Sequence, residues 1–538
     1  MTWAILTIIL LVSMGAIWLL QLGKRETYLP PGPPTLPLIG NLHIFPGKYP
    51  HLKFTEWARQ YGGIFSLKIG SQTIIVLNTM EHAKGLLDKR NATTANRPRN
   101  HVFGMVGKEH AFAYTAANSA WRAQRKIANT VLAPTALPAH APLQYAETCQ
   151  TLYDILHTPE AGSNSVMPLH ASDIPMDTYR AFTTTSVGTP SHSRHRLYTE
   201  SVVRISSPAI FSRHVPPVDK LPILGYIPER WAPWKTLVKD AKEKQRELYF
   251  GLLEECKGHI ANNEGNGCLV EDLLGRVDEH GMDPESIGTF ASILLEAGAD
   301  TTSSLLKSLV LLLVESPEVQ RKAYGEIHRV VGTQRAPILA DYKDLPYVNA
   351  VIKEVLRLRP VVPLALPHET SATEEYLDYI IPENTTIFAN VYGINHDPEY
   401  FDDPESFRPE RYLLTEHGTK PGVDDRPFRA DIGFGFGRRA CPGIHLAKDS
   451  VALVTMNLIW AFEFKPLLDP KTGNEVGVDP FDYEEGIVFA PKSFQCRISP
   501  RNKHVIDIIE LQYREAADTL SKFERGIIPE EKVSWKDH

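Results

Sequence analysis

The stretch FGFGRRACPG, residues 434–443, places a single cysteine inside a run of glycines and arginines. Glycine permits backbone conformations that other residues resist, so this run predicts a tight loop. Pro442 suits the first turn of a helix, and a long helical pattern follows over residues 443–463. We therefore expect Cys441 just before a helix N-terminus, where a thiolate is stabilised. A lone cysteine is more often a small buried hydrophobe, and it is the spacing that favours a reactive thiolate here.

The spacing Phe434-x-x-Gly437-x-Arg439-x-Cys441-x-Gly443 resembles the haem-binding loop of the cytochrome P-450 family. In that family a cysteine thiolate holds the haem iron. The resemblance implies that Cys441 is the axial ligand of haem b, that Phe434 covers the thiolate side and that Arg439 pairs with a haem propionate. Arg438 is expected to face solvent.

Two further candidates for propionate contacts follow from the same resemblance. Trp121-x-x-x-Arg125 places an indole and a guanidinium on one face of a helix. Taken alone, it would be interpreted as a core tryptophan beside a surface arginine. His368 ends the apolar stretch VVPLALPH, residues 361–368, and an ordinary exposed loop histidine is the alternative there.

Glu354-x-x-Arg357 spaces an acid and a base three residues apart on a helix, which in isolation predicts a weak surface ion pair. In the family this pair is buried and is joined by an arginine from a downstream FxPxR element, which Arg411 supplies here. The resemblance implies a structural triad that locks the cysteine loop, with no part in the chemistry.

The segment AGADTT interrupts a long apolar helix pattern over residues 291–314. Gly298 costs about 1 kcal/mol relative to alanine inside a helix, and hydroxyls such as that of Thr301 compete for backbone carbonyls. Asp300 adds a charge to a stretch that is otherwise apolar. The segment resembles the family's oxygen-activation site, which implies that Thr301 holds a proton network fed by Asp300. A helix kink exposed on one face is the alternative.

Charge and cysteine content exclude other classes of protein. The 538 residues carry a net charge of −7, without the dense Lys/Arg block of a nucleic-acid-binding protein. The five cysteines are odd in number, and no two have CxxC spacing. This argues against a zinc site or a disulfide framework and favours a reducing compartment.

The chain divides into four predicted regions. Residues 1–23 include an uncharged apolar run long enough to cross a bilayer, and the Lys24-Arg25 pair after it predicts a cytosolic body. A proline-rich hinge covers 24–45, a haem-thiolate catalytic domain covers 46–500 and a charged tail with an amphipathic helical pattern covers 501–538.

Periodicity predicts a mainly α fold with small β-sheets (α+β), and the resemblance specifies the cytochrome P-450 fold with an N-terminal transmembrane helix. A hairpin is predicted at 64–78 and a further β region near 376–389. Helices are predicted at 50–62, 80–90, 117–133, 234–262, 284–316, 317–331 and 443–463.

The resemblance implies a monooxygenase in the endoplasmic-reticulum membrane that uses O2 and NADPH-derived electrons. The partners expected are NADPH–cytochrome P-450 reductase, cytochrome b5 as a second electron donor and the bilayer. The substrate expected is a hydrophobic small molecule of fungal secondary metabolism, with small phenolic polyketides first. Terpenoid or alkaloid substrates, a haem-thiolate isomerase or dehydratase that does not activate O2, and a non-catalytic haem carrier are the alternatives. Whether Glu296 and Glu485 face the substrate or solvent is left open by the sequence.

Overall fold

A computed structural model of the chain describes residues 3, 14, 21–106, 112–157, 166–167, 218, 222–265, 267–429 and 431–524. Most of the predicted anchor, 1–23, and residues 525–538 of the predicted tail therefore lie outside the described residues. Within the described ranges, the helices of twelve or more residues are α1 (Pro50–Tyr61), α2 (Ser119–Val131), α3 (Leu137–His157), α4 (Pro233–Ala261), α5 (Pro284–Glu315), α6 (Pro317–Val331), α7 (Pro346–Leu358), α8 (Ile444–Ala461) and α9 (Lys503–Glu524).

Short helical segments connect these long helices. The short α-helices are Met80–Ala83, Asn91–Thr94, His101–Val106, Leu269–Gly275, Val277–His280, Val391–Asn395 and Arg411–Leu414. Tighter 3₁₀ turns are Leu42–Ile44, Pro222–Tyr226, Glu229–Trp231, Leu339–Asp344, Arg426–Arg429, Ile432–Phe434 and Gly437–Arg439, and a π-helical turn is Lys84–Asp88.

The strands are short and form small sheets. They are β1 (Ile64–Ile69), β2 (Gln72–Leu77), β3 (Val166–Met167), β4 (His368–Glu369), β5 (Glu374–Tyr376), β6 (Tyr379–Ile381), β7 (Thr386–Ala389), β8 (Phe462–Lys465), β9 (Leu467–Leu468), β10 (Glu475–Val476) and β11 (Cys496–Pro500). One sheet has the order β1-β2-β7-β4 and another β3-β11-β8, while β5-β6 and β9-β10 pair by themselves. The mainly α fold with small sheets is therefore confirmed.

The predicted hairpin at 64–78 is present as the antiparallel pair β1–β2. The region predicted near 376–389 divides between two sheets, because β5 pairs with β6 whereas β7 lies parallel to β2. The predicted helices at 50–62, 117–133, 234–262, 284–316, 317–331 and 443–463 are present to within two residues at each end. The stretch predicted as one helix at 80–90 is instead a short α-helix followed by the π-helical turn.

Helix α3 was missed because its sequence carries prolines, and Pro142 lies inside the helix. Proline lacks the amide that the helix ladder needs and normally ends a helix. Tertiary packing compensates here, since Leu143, Ala146 and Cys149 of α3 form a cluster with Ala516 and Leu520 of α9. The helical part of the charged tail is thus packed against the body, and Tyr153 stacks on Tyr513 with ring centroids 3.8 Å apart.

Helix α5 runs through the interior of the protein. Of the described helices it alone is long and apolar enough to cross a membrane, but most of its apolar window is buried inside the protein. Its second half contributes Leu306, Val310 and Leu313 to the largest hydrophobic cluster, which also contains residues of α7 and α8. This position identifies α5 as the central helix of the core.

The proline-rich segment predicted as a hinge is docked on strand β1. Arg25 donates to the carbonyl oxygens of Gly32 and Pro33 and to both oxygens of Ser66. Asn41 donates to the Pro33 carbonyl and accepts from the amide of Lys68. A Cβ at Gly32 would lie 2.2 Å from the Ser66 carbonyl oxygen, so glycine is needed there for close approach. These bonds hold the segment rigidly against the body.

His51 is a buried, neutral base in this core. Its ring packs between Tyr392 and Phe489, and its Nε2 atom has no hydrogen-bond partner among the described residues. Burial, with a contribution from Arg359, lowers the pKa of His51 from 6.5 to about 3. The folded state therefore binds fewer protons than the unfolded state between these pH values, and its stability falls as the pH falls through that window.

We predict that His51→Phe makes the protein less sensitive to acid. Between pH 6.5 and 4 the wild-type free energy of unfolding should fall more steeply, by up to about 1.4 kcal/mol per pH unit for this one group. Urea unfolding of the two proteins at pH 7, 6 and 5 measures the difference. The exposed His43 provides the control, and a His43→Phe curve that matches that of His51→Phe would contradict the prediction.

Candidate functional site

The loop 434–441 is held in shape by backbone bonds and by glycine. The amide of Cys441 donates to the carbonyl of Phe434 at 2.7 Å, which closes the loop. Gly435 and Gly437 have φ angles of +84° and +50°, and a Cβ at Gly437 would lie 2.4 Å from the carbonyl oxygen of Leu87. The amide of Gly437 also donates to Asp88 Oδ1 at 2.8 Å, so the loop docks on the π-helical turn.

Cys441 lies three residues before α8, as the sequence predicts. Its side chain is exposed, although protein atoms surround it closely. Burial raises the pKa of the Cys441 thiol, and the nearby Gly443 amide and Arg125 only oppose this effect. The amide of Gly443 at the helix terminus favours the thiolate as expected, but burial has the larger effect on the pKa. A cation bound to the sulfur would supply the missing stabilisation, since coordination deprotonates a thiol.

Helix α5 is continuous through AGADTT, as the helix predicted at 284–316 requires, although this segment interrupts the apolar pattern of the sequence. The Thr301 hydroxyl donates to the carbonyl of Ala297 at 2.6 Å, and Ser304 donates to that of Asp300 at 2.7 Å. These i−4 bonds satisfy the hydroxyls within a regular helix. Ala297 is exposed, Thr301 one turn later is half-buried, and Ala299 and Thr302 are buried. One strip of a core helix is thus accessible.

The accessible strip and the cysteine loop border the same part of the core. A single hydrophobic cluster contains Trp121 of α2, Ala299 of α5 and Leu446 of α8, five residues after Cys441. The first turn of α2 is fixed by Asn118, whose Oδ1 accepts from the amide of Trp121 at 2.8 Å.

Arg439 connects the loop to two other segments. It donates from Nε to the carbonyl of Ala95 and from Nη2 to that of Thr115, both at 2.7 Å. Its guanidinium carbon lies 4.1 Å from the ring centroid of Trp121. The neighbouring Arg438 is exposed, as the sequence predicts. Arg439 and Trp121, both predicted to bind a haem propionate, are therefore direct neighbours in the structure.

A further buried arginine, Arg97, lies near Arg439 and was not predicted from the sequence. We call Arg97, Arg125, Arg439 and Trp121 the basic cluster. Arg97 donates to the carbonyls of Ala113, Leu366 and Pro367. Burial, Arg97 and Arg125, in that order, lower the pKa of Arg439 to about 8. No short motif marks Arg97, because its neighbours in the cluster come from distant parts of the chain.

Two buried donors in the cluster have no hydrogen-bond partner among the described residues: Nη1 of Arg439 and Nε1 of Trp121. Buried donors of this kind cost about 1–3 kcal/mol each when unsatisfied. Buried positive charge also requires an anion. An anionic group with several acceptor oxygens would satisfy both needs. The carboxylates of a haem fit this description, with Cys441 available as a ligand for its iron.

His368, in β4, lies within the same cluster, but its protonation limits what it can do. Its Nδ1 donates to the carbonyl of Thr94 at 2.8 Å. Burial, then Arg97, lowers the pKa of His368 well below its ordinary value, so the ring is neutral. A neutral ring that donates from Nδ1 offers Nε2 as an acceptor only. A hydrogen bond from this ring to a propionate therefore requires Nε2 to take up a proton from solvent, which the nearby anion would favour by raising the pKa of His368.

Glu354, Arg357 and Arg411 meet in one buried network. Arg357 forms a two-pronged pair with Glu354 at 2.8 and 2.9 Å, and Arg411 donates to the same carboxylate at 3.1 Å. The remaining guanidinium donors bond to backbone carbonyls of residues 395–406. The network fixes the segment that precedes the cysteine loop.

Two apolar segments, 361–366 and 487–489, lie side by side. The amide of Phe489 donates to the carbonyl of Val361 at 2.8 Å, and Ala365 has a left-handed backbone with φ of 51°. Glu485, which the sequence left open, is exposed and pairs with Lys48. Glu296 is buried within α5. The two neighbouring segments 361–366 and 487–489 are entirely apolar, and we call them the apolar wall.

Comparison with known proteins identifies this arrangement. The cytochrome P450 family model matches residues 30–496. A cytochrome P450 monooxygenase of Armillaria gallica is 38% identical over 516 residues, which cover 95% of this chain and 96% of the relative. The monooxygenase ple5B of Rhodocybe pseudopiperita is 36% identical over 91% of this chain and 93% of its own, and patH of Penicillium expansum is 33% identical over 96% and 99%.

A solved structure shares the fold at low identity. A zebrafish cytochrome P450 crystallised with abiraterone superposes with a TM-score of 0.67 at 21% identity, covering 84% of this chain and 100% of that chain. At this identity the likeness concerns the fold alone.

We predict that Arg439→Leu releases haem faster than the wild type. The substitution removes a charged donor of the basic cluster, and charge-assisted hydrogen bonds contribute about 1.5–3 kcal/mol, which corresponds to roughly 10- to 100-fold in rate. The rate of haem transfer to apomyoglobin measures the effect.

Arg438→Leu is the matched control, because it removes an exposed arginine from the adjacent position. Cys441→Ser provides a reference with no thiolate ligand, identified by its carbon-monoxide difference spectrum. Equal haem loss from Arg438→Leu and Arg439→Leu would show that Arg439 makes no specific contribution.

Proposed function

The chain belongs to the cytochrome P450 family, and from this premise we propose that it hydroxylates a small phenolic polyketide of fungal secondary metabolism. The enzyme is a fungal haem-thiolate monooxygenase that uses O2. The observation that carries the assignment to this site is the buried basic cluster with two orphaned donors beside the loop of Cys441. Terpenoid and alkaloid intermediates are the alternative substrates.

Each residue at the site has a proposed role. Cys441 ligates the iron, and Arg439, Trp121, Arg125 and His368 bind the propionates, with Arg97 added to them. Phe434 shields the sulfur, and Lys448 lies 5.7 Å from its ring centroid. Haem ligated by a thiolate supplies O–O cleavage and oxygen transfer when bound.

Thr301 is proposed to orient a proton donor. Because its O–H already donates to the Ala297 carbonyl, its Oγ1 has lone pairs left to accept a hydrogen bond from water. A water held in this way is positioned by a rigid helix, one proton-transfer step from a reacting oxygen. Asp300 lies half-buried in the adjacent position, from which it would resupply the proton.

The substrate proposal is supported by the apolar wall. Val361 and Phe489 join two apolar segments, and the nearby acid Glu485 pairs with Lys48 at the surface. Such a wall favours a ligand that buries most of its surface and makes few polar contacts. The relatives named above are fungal monooxygenases, and the resemblance of the sequence to fungal enzymes that hydroxylate small phenols favours the phenolic class.

The location and the partners are also proposals. An apolar run near the N-terminus followed by Lys24 and Arg25 supports a single-pass anchor in the endoplasmic-reticulum membrane with the body in the cytosol. Electrons would come from NADPH–cytochrome P-450 reductase, with cytochrome b5 as a second donor.

Deletion of residues 1–23 should release most of the protein from membranes, and full retention would contradict the anchor.

We predict that Thr301→Ala retains haem but wastes electrons. Product formed per NADPH should fall by roughly tenfold, less than the ~100-fold or more that a positioned proton donor contributes, because disordered water partly replaces the lost one. Peroxide formed per NADPH should rise in compensation. Thr289→Ala is the matched control, since Thr289 is a half-buried threonine of the same helix with the same i−4 bond, at 3.0 Å. Unchanged coupling in Thr301→Ala would place the proton path elsewhere.

The substrate class is tested by optical titration of the purified haem protein. Small phenols, terpenes and indole alkaloids are added in turn, and the Soret band is followed. A shift with phenols alone supports the proposal. A shift confined to terpenes or alkaloids would reject the phenolic class while leaving the monooxygenase assignment intact.

A further inference from the structure

Two buried cysteines outside the haem loop face each other. Cys256 lies near the end of α4, and Cys268 precedes the first residue of the short helix Leu269–Gly275. Their sulfur atoms are 3.7 Å apart, and the residues are 1% and 4% exposed. The reactions attributed to Cys441 and Thr301 make no use of this pair.

A carboxylate completes a group of three potential ligands. An oxygen of Glu271 and the two sulfurs all lie within 4.8 Å of one another. The carboxylate is oriented by the backbone, because Glu271 Oε2 accepts from the amide of Gly267 at 2.6 Å. The amides of Glu271 and Val270 also point toward the sulfur of Cys268. Such supporting bonds orient the ligands of metal sites in proteins.

The separation of the two sulfurs favours metal coordination over a disulfide. With Zn–S bonds of about 2.3 Å and tetrahedral angles, two thiolates on one zinc ion lie about 3.8 Å apart. A disulfide needs about 2.05 Å, so the sulfurs would have to approach by a further ~1.7 Å. The observed 3.7 Å matches the zinc geometry without movement.

We propose that Cys256, Cys268 and Glu271 form a structural site for a thiophilic divalent cation, for which zinc is the expected ion and water the fourth ligand. On binding, the two thiols each lose one proton to solvent, and the sulfur lone pairs form the two metal–sulfur bonds. The carboxylate supplies the third bond. No electron transfer is involved, so the site functions in a reducing compartment.

The site would fasten α4 to the helix that follows it. Leu253 of α4, Leu273 of the short helix and Phe290 of α5 share one hydrophobic cluster with both cysteines. A metal ion bound here would add metal–ligand bonds between α4 and the short helix, which are otherwise held together by apolar packing. It would stabilise the scaffold beside the first half of α5, and its binding would raise the unfolding temperature.

The test uses the full-length haem-loaded protein, free of any histidine tag. The protein is treated with chelator, equilibrated with micromolar Zn²⁺ and freed of excess metal by gel filtration. Zinc and iron are then measured by mass spectrometry. We expect one zinc per chain and a higher unfolding temperature than that of the chelated protein.

Matched variants separate the site from adventitious binding. Cys256→Ser and Cys268→Ser should lose stoichiometric zinc, and Glu271→Gln should bind it at least about tenfold more weakly. Cys496→Ser, which alters a buried cysteine elsewhere, should retain it. Because the readout is metal content, failure of the haem assignment would not affect it.

Three results would overturn the proposal. These are wild-type protein without stoichiometric zinc, zinc content unchanged in Cys256→Ser, and a Cys256–Cys268 disulfide in the protein as purified. If the cysteine variants fail to fold, the wild-type stoichiometry and the half-exposed Glu271→Gln variant still decide the question.

Discussion

The buried guanidinium of Arg439 is the constraint around which the site is built. It stacks on Trp121 and bonds to the carbonyls of Ala95 and Thr115, so one side chain connects the cysteine loop to α2 and to two further segments. Arg97 likewise donates to the carbonyls of Leu366 and Pro367, directly before β4. Burying these charges costs free energy that carbonyl dipoles offset only in part. The cluster is therefore complete only with an anion, which in this family the haem provides.

Other contacts keep the backbone around the site rigid while one strip of α5 stays accessible. The Glu354–Arg357–Arg411 network holds the segment before the loop by fully buried charged bonds. Helix α5 stays regular through its polar segment, because its hydroxyls bond to carbonyls one turn earlier. Its accessible strip is thus presented by a rigid helix, which suits a group that must hold a proton donor in place.

Local chemistry explains which features were predictable. Three local signals act over a few residues, so sequence alone predicts the structures that they encode: the glycines and proline around Cys441, the β-rich composition around the turn of the β1–β2 hairpin, and the apolar periodicity of α5. Helix α3 was not predicted, because Pro142 opposes a helix locally and only the packing on α9 stabilises it. Arg97 and the Cys256–Cys268 pair were not predicted either. Their partners come close only in the folded chain and do not form a short sequence motif with them.

The sequence by itself determined the class of fold, the loop of Cys441 and the set of residues that could serve a haem. It could not determine charge and protonation, which depend on what surrounds a group after folding. Only the tertiary structure decided that burial raises the pKa of Cys441 while the Gly443 amide opposes it, and that burial and Arg97 lower the pKa of His368. The tertiary structure also decided that Glu485 forms an ion pair with Lys48 at the surface. The physical reason is that desolvation and pairing energies arise from contacts between distant segments, whereas motifs record only neighbours along the chain.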